Sequence, residues 1–291
     1  LGETRLRGAP LYLCGVSFTV MGSLTKENPV LQLKIGIPLA SLGLPFRQAI
    51  SKAAALGADA VEIDARREIN PSELTQTGIR EIRKLLEDHR LRVCAVTFQT
   101  RYGYQVCDEL SRRVDATKQV MTVAYKLGAS VVVNYVGRVP ESEDDPDWPL
   151  LVETLADIGR HGQRVGATLC ARTGAERGED LARLVKALPA GSLGVDFDPG
   201  TLIMNGHSPR EALKALGPHV RHVHARDAVR DVSQGRGLET RLGEGAADFP
   251  ELLGILEEHQ YRGYLTIQRD NARNAEAEIA AGVEYLKKLF A

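Results

Sequence analysis

SVVVNYVGRVPESEDDPDWPLLVETLADIGRHGQRVGATLCA, residues 130–171, holds one full copy of the pattern that decides the fold. It opens on an apolar run rich in β-branched valine, too short for a helix and suited to a buried strand. A polar loop follows. Leu151, Leu155 and Ile158 then recur at steps of three and four, the stripe of a helix packed against a sheet. Gly166 stands where that helix must end, and the next apolar run begins directly after it.

The same unit repeats in both directions. Strand candidates are LKIGI (33–37), DAVEID (59–64), LRVCAVTF (91–98), SVVVNY (130–135), ATLCA (167–171), LGVDF (193–197), VRHVH (220–224) and YLTIQ (264–268). Leu110, Val114, Thr117, Met121, Ala124 and Leu127 form a second helical stripe, and Phe249, Leu252, Leu253 and Leu256 a third. Asn70-Pro71-Ser72-Glu73 predicts a helix start, with an N-cap, a first-turn proline and a glutamate behind it. Gly57, Gly128, Gly166 and Gly263 are expected as left-handed helix caps. Strands alternating with helices imply a parallel sheet with right-handed crossovers, and eight units imply closure. The expectation is an α/β fold, a (β/α)8 TIM barrel over residues 32–291, preceded by a poorly ordered leader at 1–31 that contributes no strand.

Composition narrows the function classes. The 37 basic and 38 acidic residues leave a net charge of −1, with no excess of lysine and arginine to coat a nucleic acid. No apolar run is long enough to span a membrane. Cys14, Cys94, Cys107 and Cys170 show no paired spacing and read as reduced thiols of a cytoplasmic protein. No glycine-rich phosphate loop follows any strand. The acidic stretch EDDPDW (143–148) and the Arg112–Arg113 pair read as solvated surface, and residues 235–245 as a glycine-rich loop over the barrel mouth.

In such barrels the chemistry gathers at the C-terminal strand ends. Here those ends carry Glu62, Asp64, Asn134, Arg172, Asp196, Asp198, His222, His224 and Gln268. Residues two apart share a strand face, so each like pair is expected to face together. GVDFDPGTLIMNG (194–206), VRHVHARD (220–227) and LGEGAADFPELLGILEEHQYRGYLTIQRD (242–270) resemble the xylose isomerase-like barrel family of sugar and sugar-phosphate isomerases and epimerases. AVEID and LGASVVVNYVG fit the same pattern. The epimerase members hold a divalent metal with Glu, Asp, His and Glu on strands five to eight, and the two glutamates shuttle protons.

Carried over, that resemblance implies Asp198 and His224 as metal ligands. The two glutamates fall on Arg172 and Gln268, and a histidine often found after the sixth-strand aspartate falls on Thr201. The family's three formal negative charges are thereby lost, since Arg172 cancels Asp198. A guanidinium ~5 Å from a dication would add roughly 7 kcal/mol of repulsion at an effective dielectric of about 20. One divalent ion (Mn, Mg or Zn) is therefore expected to be weakly held or absent.

The sequence leaves two readings open. One is an isomerase or epimerase moving a proton beside a carbonyl, with Glu62, Arg172 and Gln268 at the reacting centre and Asn134, His222 and Asp227 on the substrate. The other is a catalytically degenerate barrel that binds an anionic small molecule without turning it over. A sugar or anionic ligand, but no nucleic acid or membrane, is the expected partner, and self-association stays open. An endonuclease-type member would need a histidine-rich three-metal cluster, which seven histidines in this chain do not supply at the expected places.

Overall fold

Each of the eight apolar runs becomes a strand of one closed parallel barrel in the computed structural model, which describes residues 34–174, 176–231 and 236–289. The barrel strands are β1 (Lys34–Pro38), β2 (Ala60–Asp64), β3 (Arg92–Thr97), β4 (Val131–Asn134), β5 (Thr168–Arg172), β6 (Gly194–Phe197) and β7 (Val220–Ala225), closed by β10 (Tyr264–Ile267). Around the barrel each strand neighbours the one before it in the chain, and β10 meets β1 to close the ring. Between β7 and β10 lies a separate antiparallel pair, β8 (Asp227–Asp231) and β9 (Arg236–Thr240). The helices are α1 (Phe46–Ala55), α2 (Gln76–Asp88), α3 (Leu110–Leu127), α4 (Trp148–Val165), α5 (Gly178–Ala187), α6 (Pro199–Met204), α7 (Pro209–Leu216), α8 (Phe249–Glu258) and α9 (Ala275–Leu289). The expected leader at 1–31, and Cys14 within it, lie outside the described residues.

The stripes read from the sequence are the buried faces of α3, α4 and α8. They pack on strand residues that point outward, such as Val132, Leu169 and Val195. Each fully buried aliphatic side chain contributes about 1.5–3 kcal/mol, so this outer shell supplies most of the cohesion. Inward-facing Ala95, Val131, Val133 and Cys170 form a smaller cluster inside the barrel. The interior is tight: a Cβ added at Gly36 would stand 2.4 Å from Thr266 Oγ1 and 3.0 Å from Cys94 Sγ. Burial raises the thiol of Cys94 to about 12 and that of Cys170 further still. Both are free thiols packed as small apolar residues, and Cys107 is free and exposed.

Several local expectations need correction. Residues 70–73 form a turn closed by Asn70, which accepts from Ser72 N at 3.2 Å. The helix itself starts at Gln76, capped by the Thr75 hydroxyl. Gly57, Gly128 and Gly166 do take positive φ, but at the α8 end it is Gln260 (φ 56°) rather than Gly263. Arg113 is buried, not solvated, because it reaches back to the carbonyls of Val106 and Asp108. The stretch read as a glycine-rich loop contributes strand β9, paired from Thr240 to Arg236 with β8. Among the described residues no helix is long and apolar enough to cross a membrane.

Candidate functional site

Register brings five polar side chains to one place inside the barrel. Arg172 on β5 is level with Asp196 on β6, and Asp196 with His222 on β7. Asp196 accepts from Arg172 Nε at 2.8 Å and lies 2.7 Å from His224 Nδ1. Arg172 Nη2 stands 2.8 Å from His224 Nε2. Across the barrel, Glu62 Oε1 accepts from the Thr97 hydroxyl at 2.6 Å. Glu62 Oε2 lies 2.9 Å from His224 Nε2 and 3.5 Å from His222 Nε2. The two imidazoles meet edge to face, 4.9 Å apart. All five side chains are buried, Asp196 and His224 completely.

Buried charges persist only when paired, and the protonation of this cluster follows from its pairings. Burial pushes the Asp196 carboxyl up, but His224 and Arg172 more than offset it and hold it at about 2. Burial likewise opposes ionisation of Glu62, and His224, His222 and Arg172 bring its carboxyl well below the usual range. For His224, burial and the Arg172 charge disfavour the imidazolium, while Asp196 and Glu62 outweigh them and raise it to about 9. Burial alone would weaken the Arg172 cation, yet Asp196, Asp198 and Glu62 strengthen it. At neutral pH two carboxylates therefore face two cations.

Above this cluster a cavity of 560 Å³ opens at the C-terminal rim, with Glu62, Asp64, Thr97, Gln99, Arg172 and Gln268 in its lining. Four of the strand-end residues picked from the sequence, Glu62, Asp64, Arg172 and Gln268, thus share one cavity. Gln268 is tied to Asp270 by its amide at 2.9 Å. His222 and His224 touch the cavity only through Glu62 and Arg172. The others lie elsewhere. Asp198 stands just past the end of β6 and caps α6, accepting from Thr201 N at 2.8 Å. Its second oxygen lies 3.6 Å from Arg226 Nη1. Asn134 accepts from Thr100 N and donates to the Thr100 and Tyr104 hydroxyls, which fixes the loop after β3. Asp227 accepts from the amides of Ala228, Gly243, Gly245 and Ala247 and so anchors the loop after β9. Neither Asn134 nor Asp227 is among the residues that line this cavity. The ion-pair partner of Arg172 is Asp196 on the neighbouring strand.

A family model described as a xylose isomerase-like TIM barrel matches residues 50–289. The chain belongs to the xylose isomerase-like TIM barrel family. An inosose dehydratase of Clostridium beijerinckii is 22% identical over 273 residues, covering 84% of this chain and 87% of that protein. A xylose isomerase domain protein from Planctomyces limnophilus superposes with a TM-score of 0.79 at 25% identity, over 90% of this chain and 98% of that one. A D-allulose 3-epimerase from Methylomonas sp., solved with D-allulose, gives 0.70 at 16% identity, over 89% and 97%. The likeness to the epimerase shows the shared barrel fold.

The resemblance implies Asp198 and His224 as metal ligands; Asp198 caps α6, while at the two replaced positions Arg172 pairs with Asp196 and Gln268 is bound to Asp270. A different trio does offer donors. Ligand atoms of Glu62, His222 and His224 lie within 4.8 Å of one another. His222 Nε2 has no hydrogen-bond partner among the described residues, and Glu62 Oε2 faces both imidazoles. Asp196 on Nδ1 of His224 is the outer partner that metal-binding imidazoles usually have. The trio fits one divalent ion by donor chemistry, with the Arg172 guanidinium as its competitor.

Sequence reading missed the hub of this cluster. Asp196 was placed on the rim as a twin of Asp198, and Thr97 was not singled out. The one available signal was the Arg172–Asp196 pairing that parallel register would predict between adjacent strands.

Proposed function

We propose that this barrel acts on a small polyhydroxylated carbonyl compound, a sugar or cyclitol ketone, by moving a proton at the carbon beside the carbonyl. Ketose epimerisation at C3 and inosose dehydration share that first step, which ties together what the named relatives do. One observation carries the reading: the ionised Glu62 carboxylate and the Arg172 guanidinium line the same sugar-sized polar cavity.

In this account Glu62 takes the proton through Oε2, because Oε1 already accepts from the Thr97 hydroxyl. Arg172 stabilises the negative charge that develops on the substrate oxygen. A permanently charged, donor-rich guanidinium in a dry site supplies this well. Asp196 and His224 hold Arg172 in place. Gln268 and Thr97 orient hydroxyls. A divalent ion, when bound, would add Lewis-acid polarisation from Glu62, His222 and His224, and it is weakly held because Arg172 already stands 2.8 Å from His224 Nε2.

Incubating the protein with a panel of inososes and ketoses in D2O tests the proposal. NMR should show deuterium entering at the carbon beside the carbonyl of at least one of them, with Glu62→Gln abolishing the exchange. The second reading, a barrel that binds an anion without turnover, is favoured by the loss of both family glutamates to Arg172 and Gln268. Saturable binding of a sugar acid with no exchange from any panel member would decide for it.

A further inference from the structure

A second cleft, of 670 Å³, lies outside the barrel wall beside the mouth, and nothing in the proposed reaction uses it. The two cavities share strands β2 and β3 by alternation. Asp64 and Thr97 line the mouth, while Ala65 and Phe98 line the cleft. Arg66, Arg101, Arg112 and Arg113 stand in its walls against only Asp108 and Glu109, leaving two net positive charges. Arg66 and Arg101 are held over Phe98 and Tyr102, at 4.9 and 5.1 Å from the ring centroids.

Arg113 is the decisive residue. It is 9% exposed. Two of its nitrogens donate to the carbonyls of Asp108 and Val106, and Nε has no partner among the described residues. No carboxylate among them pairs with it. A buried guanidinium satisfied only by main-chain carbonyls keeps its full charge uncompensated, an unfavourable state that a bound anion relieves. The same place receives the N-terminus of α3, an 18-residue helix whose N-cap residue, Glu109, makes no capping hydrogen bond. The Leu110 amide is taken by the Cys107 carbonyl, and the dipole at this end of the helix favours an anion too.

We propose that this cleft is a second binding site, for the phosphate group of a small phosphorylated metabolite. Phosphate suits the geometry because several guanidinium groups can each donate twin hydrogen bonds to its oxygens. The volume leaves room for a body of a few carbons beyond the phosphate. Arg112, 3.4 Å from Glu109 on the exposed surface, is the arm free to exchange that partner for the ligand. Because Thr97 at the end of β3 holds Glu62, an occupant against Ala65 and Phe98 sits one residue from the strand ends that position the proposed base.

Calorimetric titration with inorganic phosphate and with glycerol 3-phosphate tests this, with glycerol as the uncharged control. Saturable binding of both phosphates and none of glycerol is expected. Arg101→Gln with Arg112→Gln changes exposed side chains and leaves the fold intact, which circular dichroism checks; it should weaken binding by about tenfold. Arg67→Gln, which alters the mouth instead, should leave the affinity unchanged. Absence of saturable binding at millimolar phosphate overturns the proposal. So does a double variant that binds as the parent does, or loss of binding in Arg67→Gln, which would put the phosphate in the mouth.

Discussion

Replacing Asp196 by asparagine removes the carboxylate that touches both Arg172 and His224. Asp196 is fully buried, accepts from Arg172 Nε at 2.8 Å and lies 2.7 Å from His224 Nδ1. Its loss leaves a guanidinium and an imidazolium side by side, with Nη2 2.8 Å from Nε2. Breaking a buried pair by removing one partner costs about 3–5 kcal/mol, against about 0–1 kcal/mol for an exposed pair. In a domain of this size each kcal/mol lowers Tm by about 2–4 °C, so the expected drop is roughly 6–20 °C. Urea unfolding should show the same loss as a lower midpoint at unchanged slope. Asp196→Asn combined with Arg172→Met removes both charges and should recover part of the loss. A single variant that loses less than about 1 kcal/mol, or single losses that simply add in the double variant, would refute the buried-pair account.

Other perturbations reach the same cluster by different routes. His224 is raised from 6.5 to about 9, so the stability it contributes is complete below pH 6.5 and is lost as pH rises through about 9. Urea midpoints should fall across that window in the parent protein and much less in His224→Gln; a flat parent profile goes against the pairing described. Arg172→Gln takes the competing cation away from Glu62, His222 and His224, and Mn²⁺ affinity by calorimetry should rise by about tenfold or more, given repulsion of several kcal/mol. Equal affinity in parent and variant would mean that Arg172 does not compete with the ion. Asp227→Ala deletes the acceptor of four amides and should destabilise the fold by about 3 kcal/mol while leaving ligand affinity within about threefold. A large loss of affinity without loss of stability would return Asp227 to the substrate.

The barrel was legible because its strands are buried on both faces and read as unbroken apolar runs, while the helices carry one stripe each. Gly57, Gly128 and Gly166 punctuated the units correctly for a steric reason: each takes a φ between 84° and 90°. The rim was harder. Two-residue alternation pairs Asp196 with Asp198 only while the strand lasts, and β6 ends at Phe197. A register shift between Val195 and Asp196 in the β6–β7 pairing breaks the simple count as well. Asp196 therefore turns inward to Arg172, and Asp198 becomes a helix cap. Asn134 and Asp227 looked like substrate contacts because polar residues at strand ends are usually functional. Their partners are main-chain amides and hydroxyls of neighbouring loops, which no periodicity reveals. The β8–β9 pair was hidden by glycines that suggested a loop, although Gly237 is paired with Arg230.

The central claim is that Arg172 stands where the family's metal would act and serves the same proton transfer. It is tested most directly by following deuterium incorporation into the reacting ketose or inosose with protein stripped of divalent ions by a chelator and checked by elemental analysis. The account predicts that exchange continues in the metal-stripped protein without added Mn²⁺ and disappears in Arg172→Gln. Exchange that stops on chelation and returns with Mn²⁺ would contradict it.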